Sequence, residues 1–261
     1  MSNTAAKDIL FAASEKAGPV SGLLMRPNDA QVCLVLAHGA GAGMRHKFMD
    51  GVSKKLAELG VLNERVAAAH CVHVDDEEIT LLALHEVAVA HCPRSNAILG
   101  CGIAPLRKLL AAGVRVGIGT DSPASTPSID MFEELRTAIY LARARERRGD
   151  ALCAPEALEL ATLGGARALG LEDELGSLTP GKRADLAVVS LAGSPYLPWE
   201  DPAAGVVFGG APHRVLLGVV EGDVRYENGV TEWQELIDGA AAVRERMLAE
   251  ASQPHALQEL V

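Results

Sequence analysis

The stretch that decides the fold is Val114-Arg115-Val116-Gly117-Ile118-Gly119-Thr120-Asp121. Its apolar, β-branched first part predicts a buried strand that delivers a carboxylate, Asp121, at its C-terminal tip. Residues 66–70 and 87–91 repeat the layout, because each is an apolar run that ends in a histidine. The carboxyl ends of parallel strands meet at one edge of a sheet, so these three side chains are expected to lie together.

The three residues at these strand ends are His70, His91 and Asp121, which are the residue types that a divalent-metal hydrolase uses. Simpler interpretations stay open, because a histidine can be a core residue and an aspartate can cap a turn or a helix. Cys71 and Cys92 each follow one of the histidines, so a His/Cys zinc cluster is conceivable. A cysteine is more commonly a small buried hydrophobic residue.

Composition excludes several classes of protein. Hydrophobic residues make up 49% of the 261 residues, which is enough for a substantial core, whereas aromatic residues make up only 3%. The net charge of −10 argues against nucleic acid and anionic membranes as partners. No apolar stretch approaches the roughly 18 residues of a membrane span. Five scattered cysteines without a CxxC pair, and no signal peptide, indicate a reducing, cytoplasmic location.

The middle of the chain alternates strand and helix patterns, which predicts an α/β fold with a parallel sheet. Each predicted strand precedes a predicted helix, the second and third after an intervening loop: strand 66–69 and helix 75–85, strand 86–90 and helix 103–112, and strand 114–118 and a helix from 128 or 129 to about 148. Pro155 predicts the start of one further helix, which runs to about Leu169 and stops at Gly170.

The two ends of the chain have a different character. Residues 31–37 predict a strand, with a second strand over 20–25 expected beside it, followed by the loop HGAGAG at 38–43 and a helix over 48–59. The loop has neither the GxGxxG spacing of a dinucleotide site nor the GK[ST] of a P-loop. Beyond residue 176, the pattern predicts a strand at 184–189, a hairpin around Gly222-Asp223 and a closing helix over 232–251.

From about residue 61 onward, the chain resembles the amidohydrolase superfamily, in particular its branch of methylthioadenosine/S-adenosylhomocysteine deaminases and chlorohydrolases. The stretches that carry the resemblance are AHCVHVDDEE (69–78), AHCPRSNAILGCGIAPLRKLLAAGVRVGIGTDS (90–122), DMFEELR (130–136) and GSLTPGKRADLAVV (176–189). The resemblance implies a (β/α)8 barrel with a small β module, and zinc or another divalent metal as the cofactor.

The resemblance also implies roles for individual residues. His70 matches the histidine that hydrogen-bonds the metal-bound water or the substrate, and Asp121 matches a metal ligand that also shuttles a proton. These two are therefore the expected catalytic residues, with Asp121 also the expected metal ligand. His91, Ser95 and Asn96 match the loop that borders the substrate pocket, so they are the expected substrate-binding residues.

The chain departs from this family pattern in its first part. The family binds metal through an HxH pair after the first strand and through a further histidine in an HxxE pattern, and this sequence has neither before His70. Residues 34–46, LVLAHGAGAGMRH, instead resemble the start of an α/β-hydrolase, where such a loop helps form an oxyanion hole. The GxSxG nucleophile elbow that should follow is absent from the sequence.

We therefore expect an α/β protein with an incomplete (β/α)8 (TIM-type) barrel and a truncated small β module. The expected units are an α/β-hydrolase-like fragment at 1–60, the C-terminal part of an amidohydrolase barrel at 61–175, and the β module with its helix at 176–261. The expected function is metal-dependent deamination of a small heterocyclic amine. An inactive fusion or fragment and an esterase remain alternatives. Open sheet edges predict self-association.

Overall fold

The computed structural model describes residues 7–14, 18–24, 33–35, 62–194, 201–227 and 233–251 of the chain. The HGAGAG loop and the helix expected over 48–59 lie outside these residues. None of the helices within the described ranges is long and apolar enough to cross a lipid bilayer.

The chain begins with an antiparallel hairpin of β1 (Lys7–Ser14) and β2 (Gly18–Leu24). The sequence pattern missed β1 and was wrong in expecting the second strand to pair beside residues 31–37. Only three residues separate the two strands, 15–17. So short a connection favours hairpin pairing between sequence neighbours.

A four-stranded parallel sheet forms the centre of the described structure. Its strands lie in chain order: β3 (Cys33–Val35), β4 (Val66–Ala69), β5 (Ala88–His91) and β6 (Val116–Ile118). All three pairings are parallel, so the carboxyl ends of the strands lie along one edge. Within the described residues these four strands form an open sheet, and β3 and β6 are its two ends.

Helices connect and cover the sheet, as the alternating pattern predicted. In chain order they are α1 (Asp76–Leu84), α2 (Pro93–Ile98), α3 (Leu106–Ala111), α4 (Met131–Glu146), α5 (Ala154–Ala161) and α6 (Leu163–Leu169). The sequence predicted one helix where α5 and α6 stand. The chain breaks at Thr162, whose φ of −119° and ψ of −94° are not helical.

Local chemistry fixes where the helices begin and end. Asp75 caps α1 by accepting from Glu78 N at 2.8 Å, and the Glu78 carboxylate accepts from Asp75 N at 2.9 Å. This reciprocal capping box satisfies two backbone donors that would otherwise lack partners. Asp130 caps α4 in the same sense, accepting from Phe132 N at 2.9 Å. Gly170 ends α6 in the left-handed conformation.

The hydrophobic core lies between the sheet and these helices. Its buried members include Val89, Val116, Ile118, Leu106, Leu109, Leu135, Ile139, Leu152 and Leu160. At one point the backbones of β6 and α6 approach closely, because a Cβ built on Gly117 would lie 2.8 Å from Gly165 Cα. A glycine at residue 117 is what allows α6 to pack directly on the strand.

A separate three-stranded antiparallel sheet follows the helices. It consists of β7 (Leu186–Val189), β8 (Val215–Val220) and β9 (Asp223–Glu227), with α7 (Pro202–Gly209) and a 3-10 turn at Pro212–Arg214 between β7 and β8. The helix α8 (Trp233–Ala251) ends the described chain. The predicted β module and closing helix are therefore present, whereas α7 was not predicted.

Candidate functional site

The carboxyl edge of the parallel sheet brings the three predicted strand-end residues together. His70 directly follows β4, His91 is the last residue of β5, and Asp121 stands three positions after the end of β6. His91 pairs in register with Ile118 of the neighbouring strand. The prediction that His70, His91 and Asp121 lie at one edge of one parallel sheet is thus confirmed by the topology.

His70 is held between an amide and a carboxylate. Its Nδ1 lies 2.9 Å from Asn96 Oδ1; with the Asn96 amide in this orientation, which leaves Asn96 Nδ2 without a hydrogen-bond partner, the ring donates from Nδ1. Its Nε2 lies 3.8 Å from Asp121 Oδ2. In the neutral ring, Nε2 therefore presents a lone pair toward a carboxylate oxygen, which is an arrangement suited to sharing a proton or a bound polar group.

Asp121 is kept ionised by its hydrogen bonds. Ser95 Oγ donates to Oδ2 at 2.5 Å, and Ser122 N donates to Oδ1 at 2.7 Å. Burial acts to raise the pKa of the Asp121 carboxyl, but these two hydrogen bonds and the nearby His70 together outweigh it, so the pKa lies below its ordinary value. At neutral pH this side chain is therefore a carboxylate that can accept a proton.

The backbone at this edge adopts uncommon conformations. His70 has a φ of 71°, Cys71 a φ of 43° and Asp121 a φ of 60°, so three residues that are not glycine occupy the left-handed region. Such conformations cost free energy and persist only where the surrounding contacts enforce them. One such contact is the hydrogen bond from His70 N to Ala90 O, at 2.9 Å.

His91 lies deeper than the other two residues. It is only 2% exposed, and its Nδ1 has no hydrogen-bond partner. Burial, with a smaller contribution from His70, lowers the pKa of His91 to about 4. The ring is therefore neutral at physiological pH. Its role in substrate binding stays a prediction.

Ser95 and Asn96 stand on a helix where the sequence pattern predicted only a loop. Pro93 opens α2 at its first position, which suits a residue without a backbone N–H. One turn of helix then presents Ser95 toward Asp121 and Asn96 toward His70. Both side chains are almost fully buried. The two predicted substrate-binding residues thus hold the two predicted catalytic residues in place.

Two charged residues near this site were not predicted to belong to it. Glu134, in the first turn of α4, is fully buried, and its Oε2 accepts from Arg94 N at 3.2 Å. Arg94 also pairs with Glu133 at 2.7 Å. The stretch DMFEELR at 130–136 contains Glu133 and Glu134. In the sequence, however, acidic residues at the start of a helix are explained equally well by their favourable interaction with the helix dipole. Only the tertiary contact identifies Glu134 as a neighbour of the site.

The cysteines beside the histidines are neutral thiols. Burial, with a contribution from Glu78, raises the pKa of Cys71 to about 12. Burial, with contributions from Asp121 and Glu134, raises the pKa of Cys92 to about 12 as well. Among the described residues, neither thiol belongs to a group of three side chains that could hold a metal ion, and their burial fits a packing role.

The donor set for a metal ion is incomplete among the residues that the structure describes. His70 Nε2 and Asp121 Oδ2 are two donors, and a catalytic zinc site requires three protein ligands with an open position. Within the described ranges, no group of three histidine, cysteine, aspartate or glutamate residues could hold a metal ion. These residues alone therefore do not fit the zinc that the resemblance implies.

Two cavities in the structure lie away from this edge. One of about 400 Å³ is bordered by Arg107, Arg115 and Arg167, and one of about 500 Å³ is bordered by Asp75, Lys108 and Arg145, among other residues. Neither His70 nor Asp121 borders either cavity. These two cavities are therefore separate from the site.

The fold is that of an α/β protein whose parallel sheet carries His70, His91 and Asp121 at one edge. Residues 26–225 match the amidohydrolase family, and the chain belongs to that family. The match begins well before residue 61, where the resemblance in the sequence motifs begins.

Individual relatives are deaminases and a triazine hydrolase. The chain is 43% identical over 190 residues to the 5-methylthioadenosine/S-adenosylhomocysteine deaminase of Moorella thermoacetica. This alignment covers 73% of this chain and 44% of that protein. The chain is 36% identical over 203 residues to the S-triazine hydrolase of Gordonia rubripertincta, covering 75% and 43%. The chain thus spans less than half the length of these curated relatives.

A solved structure supports the same assignment. An adenosine deaminase from Xanthomonas campestris, with bound zinc, superposes on the chain with a TM-score of 0.72 and 36% sequence identity. The superposition covers 76% of this chain and 46% of that protein. The family is therefore one whose members include zinc-bound enzymes.

Proposed function

We propose that the chain carries the His70–Asp121 part of the active site of a metal-dependent hydrolase that deaminates a small heterocyclic amine. The observation that carries this proposal is the 3.8 Å approach of His70 Nε2 to Asp121 Oδ2 at the carboxyl ends of neighbouring parallel strands. The names of the relatives, which are deaminases of adenosine-type compounds and a triazine hydrolase, support this class of substrate.

The residues of this chain support the acid–base part of such a reaction. Asp121, which its lowered pKa keeps ionised, presents an acceptor oxygen, and His70 is fixed by Asn96 with Nε2 directed toward the same place. A proton on a substrate nitrogen or on an attacking water can therefore pass between these two groups. A bound divalent metal would supply an activated water in such an enzyme.

We further propose that β4, β5 and β6 correspond to the last strands of a (β/α)8 (TIM-type) barrel, and that residues 1–60 include an α/β-hydrolase-like fragment, of which the part before residue 26 lies outside the family match. The sheet order, in which β4, β5 and β6 are successive parallel neighbours, supports this assignment. The missing HxH pair and the two-donor site support the accompanying proposal that this chain alone binds metal weakly and has negligible deaminase activity.

Two measurements on the purified chain test these proposals. Zinc content is determined after dialysis against zinc and then buffer, and ammonia release is followed with 5'-methylthioadenosine, S-adenosylhomocysteine and adenosine. We expect far less than one zinc per chain and no ammonia above background. Close to one zinc per chain together with ammonia release would show that this chain is a complete enzyme.

A complementation experiment tests the class of reaction. The chain is mixed with the part of the Moorella thermoacetica deaminase that it does not match, supplied as a separate polypeptide with zinc. We expect ammonia release from 5'-methylthioadenosine and its loss in the Asp121→Asn variant. Hydrolysis of a p-nitrophenyl ester that is independent of Asp121 would favour the esterase alternative, and a soluble complex without either activity would favour the inactive fragment.

A further inference from the structure

The helix α2 connects the two central residues of the site. Its residue Ser95 holds Asp121 at 2.5 Å, and its next residue, Asn96, holds His70 at 2.9 Å. The position of this one-turn helix therefore decides both hydrogen bonds at once. A helix of six residues has little stability of its own, so something outside it must keep it in place.

That external contact is made by Glu134 at the start of α2. The N-cap residue Cys92 makes no side-chain capping bond, and Pro93 has no N–H to satisfy. The first N–H of the helix, that of Arg94, instead donates to Glu134 Oε2 at 3.2 Å. A carboxylate from another helix thus takes the place of a local N-cap and adds a favourable charge at the helix N-terminus.

The same carboxylate is coupled to the Arg94 side chain. Arg94 Nη1 lies 3.6 Å from Glu134 Oε1 and donates to Ser128 O at 3.0 Å, and Arg94 Nη2 lies 2.7 Å from a Glu133 carboxylate oxygen. A fully buried carboxylate is expensive unless it is paired and hydrogen-bonded. Among the described residues, Arg94 is the group that pairs with this carboxylate: Oε2 accepts the Arg94 N–H, whereas Oε1 has no hydrogen bond and faces the guanidinium at 3.6 Å. The two residues thus form one buried unit that spans α2 and α4.

We propose that Glu134 is a positioning residue: by binding the Arg94 N–H and guanidinium, it fixes α2 and with it the Ser95–Asp121 and Asn96–His70 hydrogen bonds. The inference concerns the geometry of the site and not its turnover. It uses the proposed function only in taking His70 and Asp121 as the site, and its test does not require activity. A failure of the deaminase proposal therefore leaves it standing.

Two substitutions at Glu134 test separately the position of its carboxylate oxygens and its negative charge. Glu134→Asp keeps the charge but withdraws the oxygens by one methylene, whereas Glu134→Gln keeps the acceptor oxygen in place and removes the charge. Two signals are measured: amide hydrogen exchange of a peptide over residues 92–98, and the 15N chemical shifts of the His70 ring in histidine-labelled protein, in solution or in the solid state.

We expect Glu134→Asp to speed amide exchange in this peptide at least tenfold. We also expect its His70 Nδ1 signal to move from the protonated position toward the average of the two tautomers. Glu134→Gln, which keeps an acceptor for the Arg94 N–H but loses the ion pair with the Arg94 guanidinium, should speed exchange by less than Glu134→Asp does.

The control is Ile139→Ala, one turn further along α4. Ile139 is fully buried, so the change lowers the melting temperature through lost packing. We expect it to leave both α2 signals unaltered. Wild-type signals in Glu134→Asp, or equal changes in Ile139→Ala, would overturn the proposal. If Glu134→Asp does not fold, the scalar coupling across the hydrogen bond from Arg94 N to the Glu134 carboxyl is measured in the unchanged chain. Its presence supports the proposal, and its absence overturns it.

Discussion

His70 and Asp121 show how a single residue at a strand end serves the site. Each leaves its strand through a left-handed backbone conformation, with φ values of 71° and 60°. Both residues lie at the carboxyl edge of the sheet, where their side chains approach each other to 3.8 Å. The strain is offset by the partners that the two side chains find there, which are Asn96 and Ser95.

The Ser95–Asp121 hydrogen bond makes a testable contribution to stability. Because it lowers the pKa of Asp121, we expect Ser95→Ala to raise that pKa. A lowered folded-state pKa adds stability that is present above the unfolded-state pKa and lost as the pH falls through the folded-state pKa. Ser95→Ala should therefore lower the free energy of unfolding at pH 7 by about 1 to 2 kcal/mol, with a smaller difference at low pH.

The Asp121 pKa is read from the carboxyl 13C shift during a pH titration, and stability from urea unfolding. The control is Ser177→Ala, a partly exposed serine whose hydroxyl contacts Thr179 among the hydrogen bonds of the described residues. It should change neither quantity. An unaltered Asp121 titration in Ser95→Ala would contradict the role assigned to this hydrogen bond.

His91 should make the protein less stable in mild acid. Its folded-state pKa is lowered from 6.5 to about 4. As the pH falls from 6.5 toward 4, the unfolded chain takes up a proton on this ring that the folded chain does not, so stability falls over this window. At 1.36 kcal/mol per pKa unit, the loss is on the order of 3 kcal/mol.

The variant His91→Leu isolates this contribution, because leucine fills the buried position without titrating. Urea unfolding at pH 7 and at pH 4.5 is compared for the two chains, which share all other titrating groups. We expect the unchanged chain to lose more stability between the two pH values. Equal losses in both chains would mean that His91 takes up a proton in the folded state.

Single residues also show what the sequence could predict about the site. His70 and Asp121 were found because a strand pattern ends at each of them, and strand ends are local information. Glu134 was not found, because its role depends on α4 packing against α2. Nothing in the sequence shows that two helices separated by more than thirty residues meet through one carboxylate and one backbone N–H.

At the scale of the element, the contact between β6 and α6 depends on one glycine more than on the other. A Cβ on Gly117 would lie 2.8 Å from Gly165 Cα, which real Cβ atoms do not approach. A Cβ on Gly165 would find only Leu160 O, at 3.8 Å, an ordinary contact. Of these two glycines, only Gly117 is required for space. Gly164 of α6 is required as well, because its Cβ would lie 2.8 Å from Val116 O.

This asymmetry predicts opposite effects for two alanine substitutions. Gly117→Ala should force the strand and the helix apart and lower the free energy of unfolding by about 1 to 3 kcal/mol. Gly165→Ala should be neutral or stabilise by up to about 1 kcal/mol, because alanine is the better helix former. Thermal and urea unfolding measure both. Destabilisation by Gly165→Ala as large as that by Gly117→Ala would show that the spacing is not set by residue 117.

Element boundaries were predictable where a side chain or a glycine marks them. Asp75, Asp130 and Gly170 are local signals, and all three stand at helix ends in the structure. The elements that were missed, such as α2 and α7, are short or lack a clear polar face, so burial against neighbouring elements decides them. The hydrogen bonds from Arg115 to the carbonyl groups of Glu64 and Glu86, which join strand starts, were equally invisible in the sequence.

At the scale of the whole molecule, the order of the strands matches the order in the sequence. Strands β4, β5 and β6 pair as successive neighbours with helices in between, which is what repeated βα units predict. Whether the strands close into a barrel could not be predicted from local sequence patterns, because closure depends on pairing between strands that are distant in sequence. In the part of the chain that the structure describes, the sheet is open and ends at β3 and β6.

Open sheet ends and exposed apolar side chains both favour association. Strands β3 and β6 present backbone donors and acceptors on their outer sides. The small sheet adds exposed valines, since Val220 is 47% and Val224 is 57% exposed. Neither feature is typical of an isolated, stable monomer.

We therefore expect the purified chain to associate at micromolar concentration through the edges of its parallel sheet, within 32–37 and 114–118. Light scattering should give a mass of at least two chains, and thermal melting should depend on concentration. The double variant Val220→Lys, Val224→Lys, which adds charge to the small sheet only, should associate like the unchanged chain. A monomer in this variant alone would assign the contact to the small sheet, and a monodisperse, cooperatively melting monomer in the unchanged chain would mean that residues 1–60 cover the open edges.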